Sequence, residues 1–114
     1  MTHKLRNVFF FLTCSVLFLP TISANANENK LLLIARESAI VAGGAKYCKL
    51  DDDLVEEFIA RVEARLSVLA SDEYEKVLAR LEFKNVLDAY SVRAPEKPCP
   101  EFTLTFERAR QSLQ

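Results

Sequence analysis

Residues 51–69 read DDDLVEEFIARVEARLSVL, and this stretch decides the fold. Leu54, Val55, Phe58, Ile59, Val62, Leu66 and Leu69 recur at helical spacing. Glu56, Glu57, Arg61, Glu63 and Arg65 take much of the opposite side, the pattern of an amphipathic helix. The Asp51-Asp52-Asp53 run starts it: one aspartate caps free backbone N–H groups, and the other acids meet the positive end of the helix dipole.

Downstream, Ser71 or Asp72 opens a third helix, with Asp72 and Glu75 at capping-box spacing. Tyr74, Val77, Leu78, Leu81 and then Val86, Leu87 and Tyr90 make its apolar side, while Phe83 falls off that stripe and is either covered by the first or last helix or exposed as part of a docking patch. Pro95, Pro98 and Pro100 turn Ser91–Pro100 into a loop, since none of them can donate to a backbone ladder. A last helix, Glu101–Leu113, carries Phe102, Phe106, Ala109 and Leu113 on one face. Upstream, Glu28–Cys48 forms a first helix whose apolar residues are smeared round the axis (Leu31, Leu32, Ile34, Ala35, Ala39, Val41, Ala42), as expected of a helix buried on more than one side. Gly43-Gly44 could bend or end it; Ala45, Lys46 and Tyr47 favour continuation. The expected fold is an all-α domain of four helices, or three plus a split first helix, tied by one disulfide. Short connections at Lys49-Leu50 and Ala70-Ser71 favour antiparallel neighbours for the second and third helices.

Residues 1–26 read as a cleaved export signal. Lys4 and Arg6 precede an apolar run from Val8 to Leu19, Pro20 breaks it, and Ala24-Asn25-Ala26 offers a small-x-small cleavage site. A run of about twelve residues falls short of the roughly twenty that span a bilayer. Acylation at Cys14 is disfavoured by Phe11-Leu12-Thr13, which lacks small residues before the cysteine. Cleavage near Ala26 would leave a single domain, 27–114, periplasmic or secreted and without stable membrane insertion. It would carry 13 basic and 16 acidic residues, a net charge of about −3. Its basic residues are scattered singly among acids, which argues against nucleic acid as a partner, since that calls for a basic stripe along phosphates.

The same cut removes His3, the only histidine, and Cys14, leaving Cys48 and Cys99 to pair in an oxidising compartment. A redox or zinc role for the pair lacks both a Cys-x-x-Cys spacing and a histidine. The aspartate run lacks the alternation and glycine of a calcium loop, and leads straight into a helix; Asp53, Glu56 and Glu57 share a helical face that could hold a divalent ion only loosely. Serine triads and cysteine–histidine pairs need an imidazole. No glycine-rich phosphate loop or haem-attachment motif occurs. A glycosidase needs only two carboxylates, but no pair is singled out. The expectation is therefore a chain that is not an enzyme and takes no cofactor and no metal.

The exported, small, helical, one-disulfide plan resembles acid-activated periplasmic chaperones, whose two cysteines lie about as far apart. That resemblance implies, as an alternative, a stress chaperone whose acids protonate and loosen the fold at low pH. A carboxylate-based hydrolase is the remaining alternative. The leading expectation is a binding or accessory module of the periplasm or cell envelope with a protein partner. Its candidate docking residues are Phe83, Tyr90 and Val92, beside a loop pinned by Cys99.

Overall fold

The computed structural model describes residues 24–114; of the expected export signal, residues 1–23, with Lys4, Arg6, the Val8–Leu19 run, His3 and Cys14, lie outside the described residues, and the expected cleavage site at 24–26 falls in the first turn of a helix. Four helices follow in order: α1 (Ala24–Tyr47), α2 (Asp52–Leu69), α3 (Glu73–Ser91) and α4 (Cys99–Ser112). Cys48 and Cys99 are joined, so the end of α1 is tied to the start of α4.

The Asp51 side chain caps α2, its Oδ1 accepting from the N–H groups of Asp53 (3.0 Å) and Leu54 (3.2 Å). Asp72 caps α3 by accepting from the Glu75 N–H at 2.8 Å. The return bond of the capping pair is shifted by one residue. Glu75 Oε2 accepts from the Ser71 N–H (2.7 Å) and also from Asn27 Nδ2 (3.2 Å), and Asn27 Nδ2 reaches Ser71 Oγ at 2.9 Å. The buried Glu75 carboxylate thus fastens the start of α1 to the α2–α3 turn. No buried side-chain nitrogen or oxygen among the described residues is left without a partner.

Helix α1 begins four residues before Glu28 and runs unbroken through Gly43-Gly44. Its stop is Lys49, the one non-glycine residue with positive φ among the described residues (53°). There the Leu50 N–H donates to Ala45 O (3.1 Å) and the Lys49 N–H to Lys46 O (3.1 Å), the paired closure that usually recruits glycine. The glycines serve packing instead. A Cβ on Gly43 would lie 2.6 Å from Tyr90 Cβ and 3.0 Å from the Leu87 carbonyl oxygen, and one on Gly44 would enter the Phe102 ring. Gly43→Ala should therefore destabilise the fold by about 1–3 kcal/mol despite the better helix propensity of alanine, because α3 backbone has to move. Urea unfolding checks this, and an unchanged midpoint would contradict the close approach.

The helices alternate in direction around α1. It runs parallel to α3, as Asn27 to Glu75, Arg36 to Glu82 (2.7 Å) and Gly43 to Tyr90 show in turn. It runs antiparallel to α2, whose first turns meet its last ones through Lys46 and Glu56 (3.4 Å). Helix α4 leaves from the disulfide and returns along α1 and α2, with the Phe58 and Phe106 rings edge to face at 5.5 Å. Contact with all three partners explains the smeared pattern of α1: Leu31, Ala35, Ala39, Ala42 and Ala45 are all buried.

Val55, Phe58, Val62 and Leu66 of α2 and Phe102 and Phe106 of α4 complete that core as the periodicity predicts. Leu69 is a correction, being exposed at the last turn of α2. The larger correction concerns α3. Its buried residues are Glu75, Ala79, Phe83 and Leu87, at steps of four, so Phe83 is in the core while Tyr74, Val77 and Leu81 face solvent. Small residues of α1 make this possible. Ala39 lies one turn before Gly43 on the same face, and the absence of bulk there lets α3 approach until Phe83 fills the remaining space.

Candidate functional site

Helix α3 carries two apolar faces. The inner one holds Phe83, which is only 1% exposed. The outer one lies two residues, about 200°, round the helix and consists of Tyr74 (67% exposed), Val77 (55%) and Leu81 (52%). Three large apolar side chains at steps of three and four, all at least half exposed, exceed what scattered surface leucines would give.

This face borders a groove of about 480 Å³ between α2 and α3. The groove exists because α3 is drawn onto the small residues of α1 rather than onto α2, whose core-facing side chains are Val55, Phe58, Val62 and Leu66. Ile59, Val77 and Leu81 line it above Phe83 and Leu87. Its walls differ in charge: Glu56 and Glu63 stand on α2, Arg80 and Lys84 on α3, and Asp88 and Lys46 occupy one end. Glu63 precedes Ser71 by eight residues and Arg80 follows it by nine, so the two stand at nearly one height on opposite walls. Neither forms a salt bridge among the described residues, whereas Glu56 pairs with Lys46 (3.4 Å) at the groove end.

A second cleft, of about 650 Å³, opens between α1, the α3–α4 loop and α4, lined by Ile40, Tyr90, Arg93, Pro95, Phe102 and Thr105. Tyr90 is half-buried on its edge, with the Arg93 guanidinium 4.3 Å above the ring. Val92 projects into solvent at the end of α3, 82% exposed. Of the three docking residues expected from sequence, Tyr90 and Val92 therefore lie at the loop, and Phe83 lies apart from them, in the core. Phe83 adds no exposed surface. Glu56 and Glu63 read in the sequence as the polar side of α2, and nothing there singles out Arg80 or Lys84; only the packing of α3 shows that all four line a groove with apolar residues.

Asp51 is engaged in capping, and among the described residues no group of three or more His, Cys, Asp or Glu side chains converges to hold a metal ion. Within the same residues no helix is long and apolar enough to cross a membrane. No protein-family model matches the chain, and searches of curated proteins and of solved structures gave no significant match.

Proposed function

We propose that this chain is a non-enzymatic binding or accessory module, exported to the periplasm or cell envelope, that docks a polypeptide against the outer face of α3 and the adjoining α2/α3 groove. The observation that carries the reading is the Tyr74, Val77 and Leu81 stripe, an apolar face that covers nothing among the described residues. Leaving such side chains in water forgoes roughly 1.5–3 kcal/mol each relative to full burial. A partner surface recovers part of that. The groove beside them adds fixed charges of both signs, which supply orientation more than affinity. The export signal read in residues 1–26 supports the compartment.

Photo-crosslinking tests the reading. A benzophenone side chain replacing Leu81 in the native host should give a discrete adduct with a polypeptide, whereas the same group at Leu104, exposed on α4, should not. Equal labelling from both positions, or none from either, overturns it.

A further inference from the structure

We infer that the polypeptide received by the α2/α3 face is a second copy of this chain, packed about a two-fold axis that runs parallel to the helices. The inference rests on the docking role just proposed and names its occupant from the charge pattern of the groove. Rotation about such an axis lays α2 of one copy over α3 of the other and preserves height along the helices. Glu63 of each copy, without a salt bridge among the described residues, then meets the Arg80 and Lys84 wall of its mate, while Glu56 is paired with Lys46 of its own chain (3.4 Å). Because Glu63 and Arg80 share one height, the pairing is made twice by symmetry. The alternative two-fold, perpendicular to the helices, would stack α2 on α2 and set acid against acid.

The apolar parts agree with the charged ones. Val77 and Leu81 line the groove with Ile59, and Tyr74 extends the strip toward the α2–α3 turn, so an apolar strip runs beside the charged residues. A surface of this kind is complementary to itself. The net charge expected of residues 27–114 is only about −3, so long-range repulsion between copies is small.

Sedimentation velocity of the purified exported protein, run across the micromolar to sub-millimolar range, tests this. The wild type should show a monomer–dimer equilibrium. Glu63→Arg and Arg80→Glu should each raise the dimer dissociation constant about tenfold or more, and the combined Glu63→Arg/Arg80→Glu protein should return most of the loss. Both positions are exposed, so unchanged far-UV circular dichroism separates lost association from lost folding. A wild type that stays monomeric throughout, single variants that dimerise as before, or a double variant no better than the singles overturns the second copy as occupant. If the wild type is monomeric while the probe at Leu81 still labels a different polypeptide, only the occupant is wrong. If it labels nothing as well, the docking role falls with it.

Discussion

Replacing Cys48 and Cys99 together by serine is expected to lower the melting temperature by roughly 15–30 °C, from a loss of about 4 kcal/mol at about 4–8 °C per kcal/mol in a domain of this size. The cysteines are separated by 51 residues, and their Cα atoms lie 5.4 Å apart. The bridge therefore closes a loop containing all of α2 and α3. Without it the unfolded chain regains the entropy of that closure, which is large against the roughly 5–15 kcal/mol of total stability usual for a domain. The folded side loses more locally. Helix α4 follows a loop with two prolines, Pro95 and Pro98, carries Pro100 in its first turn, and is held by Phe102 against Gly44, by Phe106 against Phe58, and by the bridge. Amide exchange in α4 should accelerate before that of α1 and α3, because the bridge fixes the α4 end and not the α1–α3 seam. Melts of the wild type with and without reductant should reproduce the serine variant. A shift under about 5 °C would show that helix packing alone carries the fold.

The parts of this architecture that follow from local chemistry are legible in the sequence. Asp51 and Asp72 cap helices where an aspartate stands before an apolar period, and the prolines set the α3–α4 loop. The stripe on α2 reads correctly as far as Leu66, since a single charged face opposes it. Helix α3 defeats the same reasoning because both of its sides carry apolar residues. Tyr74, Val77, Leu78 and Leu81 form the denser cluster, while the true inner face includes Ala79 and Glu75, whose side chains add little or nothing to an apolar count. What chooses between the faces is the shape of α1. Gly43 admits the α3 backbone, and Asn27 with the Ser71 N–H satisfies the Glu75 carboxylate, so a face containing an acid can be buried. Both are long-range conditions that no window along α3 contains. The candidate site was hidden for the same reason, because its apolar residues were those assigned to the core.

Phe83→Ala should cost about 3–5 kcal/mol, whereas Leu81→Gln, two residues away, should change stability by no more than about 0.5 kcal/mol. The phenyl ring is among the largest fully buried side chains, and its removal leaves a cavity that helices fixed at Gly43 and at Glu75 cannot close by sliding. Leu81 is half exposed in a single copy, and glutamine keeps helix propensity close to that of leucine. Urea unfolding at low micromolar concentration, where association adds little to apparent stability, makes the comparison. Phe83→Leu, a smaller truncation, provides a folded protein for the measurement if alanine leaves too little native state. The opposite ranking, with Leu81 costly and Phe83 tolerant, would place the Tyr74, Val77 and Leu81 stripe in the core and remove the exposed face on which both the docking role and the two-fold pairing depend. The predicted ranking has a second consequence: Leu81→Gln should weaken self-association while leaving the unfolding midpoint of the isolated copy in place, a separation of binding from folding that only a surface residue can give.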